Sequence, residues 1–277
     1  MGGRFEWNTQ LSDDNWTLGE AVVEACNYIK DTVAFSLSRE PTRMEHLSFL
    51  TQAITTEKAV HIFTLNHDIL LERFLKKCGI PFLDGFGDPD NDVRYWSPGF
   101  VSSLAKGVAI YHLHGSVDWY RLCPINGTWE DERYGIPVKE DPWHTYALDG
   151  KRQWPVEGRS GFLIGTFNKI LQYTDEIYID LHCRFSEVLR KTRRVIICGY
   201  GFGDKAINSQ LVRWLYTDPD SEPKKYLVVV HRDPDKLRAD ARGAVRNHWQ
   251  EWVDSQRIVF VRKYVEKLKW TDLEPHL

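Results

Sequence analysis

The chain has 277 residues, 42% of them hydrophobic, enough to fill the core of one large α/β domain or two small ones. Its 36 Lys and Arg against 39 Asp and Glu leave a formal net charge of −3 with no long block of one sign, so nucleic acid is not a favoured partner. No apolar run approaches the roughly 18 residues that span a bilayer, and residues 1–6 carry neither a secretory core nor the Ser or Thr of a myristoylation signal. A cytoplasmic protein without membrane contact is expected.

Residues 17–37 place Leu18, Val22, Ala25, Cys26, Ile29, Val33 and Leu37 at helical spacing, with Thr17 as the cap. A second helix is predicted over 42–56, then a short strand over 60–65. A third helix follows, with Ile69, Leu70, Phe74 and Leu75 on one face and Gly79 and Pro81 as its stop. The Gly, Asp, Asn and Pro content of 84–98 predicts a loop pinned by Tyr95, Trp96 and Phe100, followed by a strand at 107–113. Residues 119–160 hold Trp119, Trp129, Trp143 and Trp154 without a sustained helical period. They read as an inserted subdomain or cover, partly β, within a domain that spans 1–277, and the four tryptophans as a small aromatic core.

A short strand at 162–164 and a helix over 175–191 come next, the helix ending in the basic run Arg190 to Arg194, which suits its dipole. Strand 195–198, helix 205–216, strand 226–230, a helix over 234–253 and strand 258–261 complete the chain. This alternation predicts an α/β fold, a Rossmann-like doubly wound parallel sheet.

Three motifs each sit just past an apolar, β-branched run: Thr64-Leu65-Asn66-His67-Asp68, His112-Leu113-His114-Gly115-Ser116, and Gly199-Tyr200-Gly201-Phe202-Gly203-Asp204. Parallel strands end at one edge of a sheet, so these residues are expected to converge in a crevice of the kind that binds nucleotides. Each also has a plainer reading. Asn66 can cap the helix beginning near Asp68, Asp68 and Asp204 can sit at helix N-termini, and His112 suits a satisfied core histidine better than a metal ligand. Gly199, Gly201 and Gly203 permit a tight turn, and Gly115 a close approach by another backbone or a ligand.

In order and identity the motifs resemble the sirtuin-like NAD-hydrolysing family of bacterial defence proteins, with its T-x-N-x-D, H-G-S and glycine-rich turn. The resemblance runs over roughly residues 60 to 232. It implies that Thr64, Asp68, Ser116, Gly199, Gly201, Asp204 and Arg232 bind NAD, with Asp68 on the nicotinamide carboxamide and Arg232 near the adenosine end. It also implies that Asn66 and His114 are catalytic. Cleaving the nicotinamide–ribose bond passes through an oxocarbenium-like state. The Asn66 amide offers donor and acceptor together to orient ribose and water, and neutral His114 can take up the proton.

Cys26, Cys78, Cys123, Cys183 and Cys198 are spread through apolar patterns and read as reduced. The chain contains no C-x-x-C pair, hence no four-cysteine zinc module, so no metal is expected and protein deacylation is disfavoured. The leading expectation is an NAD glycohydrolase, with NAD as substrate, in anti-phage defence. The alternative is a catalytically inactive module that binds NAD or ADP-ribose or docks a partner, and a protein partner or homo-oligomer is left open.

The family's first strand and glycine phosphate loop are not found ahead of the first motif, so the N-terminus reads as incomplete. That strand would lie between strands 60–65 and 195–198. Its absence would leave backbone groups unpaired on both. A gap in the sheet, direct pairing of those two strands or low stability is expected.

Overall fold

The computed structural model describes residues 13–39, 41–97, 99, 104–147, 149–164, 176–217 and 224–276. Helix α1 (Asp13–Leu37) leads to α2 (Phe49–Thr56), β1 (Ala59–Thr64), α3 (Leu70–Lys77) and β2 (Phe82–Leu83). Then come β3 (Val93–Tyr95), β4 (Gly107–His112), β5 (Tyr120–Pro124), β6 (Arg133–Pro137), β7 (Thr145–Tyr146) and β8 (Arg152–Pro155). The last third runs α4 (Glu176–Lys191), β9 (Arg194–Cys198), α5 (Lys205–Tyr216), β10 (Tyr226–Val230), α6 (Pro234–Asp240), α7 (Ala244–Asp254) and β11 (Ile258–Val261).

Two parallel sheets form the body, ordered β1-β4-β2 and β11-β10-β9. Their strands are continuous apolar runs because both faces are covered. Ala109, Tyr111, Ile197, Leu227 and Val229 pack with α4, α5 and α7 residues such as Leu181, Leu211 and Trp252. The alternate residues Val108, Ile110, Val228 and Val230 pack on the opposite side with Leu50 of α2, Leu75 of α3 and Trp270. Helices on both faces of parallel strands make this a Rossmann-like α/β fold.

Both sheets feed the same two apolar layers, yet among the described residues β1 and β9 are not hydrogen-bonded to each other. Direct pairing of these strands does not occur, and the parallel arrangement is interrupted between them. Solvent reaches the interruption, since every residue of β1 is only half-buried while its neighbour β4 is buried from Val108 to His112. The same contrast holds between β9 and β10.

A separate antiparallel sheet, ordered β3-β6-β5-β8-β7, is built from residues 93–155. Its strand β3 lies inside the segment expected as a loop, where alternate pairing with β6 outweighs the local turn composition. Tyr95 Oη donates to Gln153 Oε1 at 2.9 Å and Trp96 Nε1 to Asp180 at 3.1 Å, so two of the three expected anchors hold this segment. The third, Phe100, lies outside the described residues. The four tryptophans do not form one core. Trp119 is buried against Phe86 and Trp96, whereas Trp129, Trp143 and Trp154 are exposed.

Other elements differ in detail. The segment 42–56 is a 3-10 turn followed by α2, residues 234–253 form two helices parted at Gly243, and Phe162 makes a single bridge to Gly115 in place of a strand. Helix α1 begins at Asp13, upstream of Thr17, and its apolar stripe is only partly buried: Val22, Ala25 and Ile29 face solvent, whereas Cys26, Val33 and Leu37 are half-buried. The Leu18 side chain lies outside the described residues. Polar contacts also hold this segment, Lys30–Glu157 at 3.3 Å, Arg159–Asp31 at 2.8 Å, and Arg73 on the carbonyls of Ser38 and Arg39 just past the helix.

Backbone amides on an open strand edge exchange by local opening. Hydrogen exchange followed by NMR should show outward-facing amides of β1 and β9 exchanging well ahead of those in β4 and β10.

Candidate functional site

The three motif loops meet at the C-terminal ends of β1, β4 and β9, and a histidine–aspartate pair joins them. His114 Nε2 lies 3.2 Å from Asp204 Oδ2, with only 4% of the one side chain and 14% of the other exposed. Asp204 is also the N-cap of α5, its Oδ1 accepting from the backbone of Ala206 at 2.9 Å and Ile207 at 3.1 Å. The plain reading of Asp204 as a helix cap therefore holds through Oδ1, while Oδ2 faces His114. Tyr200 and Asn208 brace the turn behind it. Tyr200 Oη donates to Asn208 Oδ1 at 2.8 Å, and Asn208 Nδ2 donates to the Phe202 carbonyl at 2.8 Å and the Arg242 carbonyl at 3.1 Å.

His114 is aimed this way because β4 ends at His112 and a turn at residues 113–114 breaks the pleat. The two histidines do not share a face, contrary to a continuous strand over 107–113. His112 points to Glu72 on α3, while His114 points to Asp204 and lies near His182 of α4. The turn depends on Gly115, whose φ is +77° and where a Cβ would stand 2.2 Å from the Gly161 carbonyl. The close approach that this glycine permits is thus made by the protein's own backbone. Leu163 N–H donates to the His114 carbonyl at 2.8 Å and fixes the same crossing.

On the β1 loop, His67 is the side chain that comes beside His114, with ring centroids 6.3 Å apart, and it packs on Phe162 at 4.7 Å. Asn66 is exposed. Its N–H donates to Thr64 Oγ1 at 3.0 Å and its carbonyl faces His112 Nδ1 at 3.1 Å, while its side-chain amide has no hydrogen bond among the described residues. Asn66 is therefore not the helix cap. That position is Ile69, which makes no side-chain cap, and Asp68 just ahead of it accepts from Leu70 N through Oδ1 at 3.1 Å where α3 begins.

Ser116 is fully buried and donates to Asp118 Oδ1 at 2.6 Å. Gly199 and Gly201 border open space, since a Cβ on either would meet nothing within 4 Å. Arg232 lies exposed just past the end of β10, hydrogen-bonded to Tyr264 Oη and stacked over its ring.

Three further residues, His182, Glu72 and His67, lie against these loops. His182, on the buried stripe of α4, has Nδ1 3.0 Å from Gln210 Nε2. Burial, reinforced by nearby His114, lowers its pKa to about 4 and keeps it neutral. Glu72 and His112 form a buried pair at 2.7 Å. Burial opposes a charge on His112, but the Glu72 carboxylate, helped by Asp118, outweighs it and raises the imidazole to about 9. Burial also raises Asp118, partly offset by the Ser116 hydroxyl. The sequence signals were a histidine at i+4 from Tyr178 on an apolar stripe, a carboxylate on the buried side of α3, and a histidine between Asn66 and Asp68.

Two outcomes follow for stability. Gly115→Ala should cost about 3 kcal/mol or more, combining a strained left-handed backbone with a clash against backbone, and should lower the Tm by several degrees. The folded pKa of His112 lies above its usual 6.5. Its contribution is therefore complete below about pH 6.5, declines above it and is lost by about pH 9. The urea midpoint should fall across that window, and fall much less in Glu72→Gln.

Comparison with known proteins fits this geometry. Residues 60–252, more than half the chain, match the SIR2-like domain, and no curated protein matches the chain. With the glycine turn, the HGS turn and the T-x-N-x-D loop gathered at the C-terminal ends of β1, β4 and β9, the chain belongs to the SIR2-like domain family, whose members bind NAD, and its activity is NAD-related.

Proposed function

We propose that the protein is an NAD glycohydrolase, releasing nicotinamide and ADP-ribose. The observation that carries the reading is the buried His114–Asp204 pair at the mouth of the three loops. In this reading His114 accepts the proton, and Asp204, whose Oδ2 lies 3.2 Å from His114 Nε2, holds the ring in its orientation, as the carboxylate does in a Ser-His-Asp triad.

In this reading the Asn66 amide, which makes no competing hydrogen bond among the described residues, orients a ribose hydroxyl and the attacking water. The C1′–N1 bond breaks with its electron pair passing to nicotinamide. Water oxygen bonds to C1′, and His114 removes the proton. Asp68 would hold the nicotinamide carboxamide through Oδ2, since Oδ1 is taken by the Leu70 N–H. Thr64 and the Gly199–Gly201 turn border the space where ribose and phosphate would lie. Ser116 shapes the turn from inside, and Arg232 marks the far, adenosine end. We place this activity in bacterial anti-phage defence, on the resemblance of the motifs.

Full-length protein incubated with NAD should release nicotinamide, measured chromatographically. Asn66→Ala and His114→Ala should each lower the rate about 100-fold or more, and Asp204→Asn about 10- to 100-fold. Unchanged turnover in the first two variants would reject the reading. NAD binding by calorimetry with no product would instead identify a binding module.

A further inference from the structure

His112 takes no part in the proposed chemistry, yet it is one of the most completely enclosed polar groups in the chain. Both ring nitrogens face acceptors, Nε2 the Glu72 carboxylate at 2.7 Å and Nδ1 the Asn66 carbonyl at 3.1 Å. A neutral imidazole has one N–H and can donate to only one of them, whereas an imidazolium satisfies both. We propose that His112, held charged by Glu72, is a positioning residue that grips the Asn66 carbonyl and so sets the direction in which the Asn66 amide faces the crevice.

This rests on the role given to Asn66 above, and the geometry of the loop supports it. Asn66 is held only by its backbone, its N–H by Thr64 and its carbonyl by His112, while its side chain has no hydrogen bond among the described residues. The aim of the amide is thus inherited from the peptide groups. Once neutral, His112 keeps a single N–H, and with that proton on the Glu72 side the Asn66 carbonyl loses its donor. The groups that face His112 are Glu72 from α3, Asp118 and Ser116 from the turn after β4, the Asn66 carbonyl from the β1 loop, and the edge of the Trp119 ring. Both carboxylates favour the charged ring. The second Glu72 oxygen is buried with no hydrogen-bond partner among the described residues, so His112 is the cation that compensates this carboxylate.

A purely structural ion pair would change stability and leave the pH profile of turnover alone. The test uses full-length wild type, Glu72→Gln and Glu72→Asp, with kcat/KM for nicotinamide release measured from pH 5.5 to 10 and the His112 ring nitrogens titrated by NMR. In wild type, activity should fall on the alkaline side together with loss of the His112 proton, near pH 9. In Glu72→Gln the fall should move down by about two pH units, towards the ordinary histidine value of about 6.5, with kcat reduced more than KM is altered. Glu72→Asp, which keeps the charge, should restore most of the alkaline range.

An alkaline limb unmoved in folded Glu72→Gln, or a His112 already neutral at pH 7 in wild type, would overturn the proposal. Should Glu72→Gln not fold, wild type decides alone, because an alkaline limb that does not coincide with the His112 titration is equally fatal. Should wild type release no nicotinamide, the glycohydrolase reading fails separately. The positioning claim then stands or falls on whether the Asn66 amide resonance shifts with His112 titration.

Discussion

The contact between His114 and Asp204 joins two sheets that no described backbone hydrogen bond connects. The first residue belongs to the turn after β4, the second to the turn after β9, and between β1 and β9 the parallel arrangement is open. What keeps the two sheets in register is a pair of shared apolar layers and this polar seam at the ends of the strands. The layers supply most of the free energy of association, since burying a Leu- or Phe-sized side chain gives about 1.5–3 kcal/mol and such side chains come from both sheets. They are non-directional. The seam fixes which turn faces which.

The histidines around this seam show how environment assigns different work to one residue type. His112 is enclosed with two carboxylates and is driven to the charged form, while His182 is enclosed beside another histidine and is driven to the neutral form. Burial alone disfavours the charged ring in both, and only a close carboxylate reverses the outcome. His112 and His114 are two residues apart, yet they serve opposite sides of the sheet because the pleat stops between them. A spacing rule that assumes a continuous strand puts them together. The Gly115 turn separates them.

Much of this arrangement is legible in the sequence because its cause is local. The strands β9, β10 and β11 and helix α5 announce themselves as β-branched runs and an apolar stripe, and each of the three motifs follows such a run directly. What escapes a linear reading depends on partners distant in the chain. β3 sits in a turn-rich segment and exists because β6 pairs with it, 40 or so residues later. Glu72 looks like a solvated helix residue until His112 is brought to it from β4. The stripe on α1 reads as a buried face, but Val22, Ala25 and Ile29 on it face solvent and only Cys26, Val33 and Leu37 are half-buried, so periodicity alone overstated its burial. The tryptophans of 119–160 fail for the same reason, since composition says nothing about which ring meets a neighbour.

The open edges of β1 and β9 bear on the site as well as on stability. A crevice at the end of a sheet keeps its shape when the strands below it cannot shear, and hydrogen-bonded neighbours are what normally prevent shear. Here the strand that leads to Asn66 and the strand that leads to Asp204 each have one bonded neighbour among the described residues, β4 and β10 respectively. Their separation is therefore governed by side-chain packing, which tolerates sliding more readily than a hydrogen-bond ladder does. Each of these three residues is accordingly tied to something other than its strand: Asn66 through His112 to α3, Asp204 through its cap to α5, and His114 through its carbonyl to Leu163. Any segment that paired with both open edges would tighten the spacing of Asn66 and Asp204 together, coupling sheet completion directly to the geometry in which His114 works.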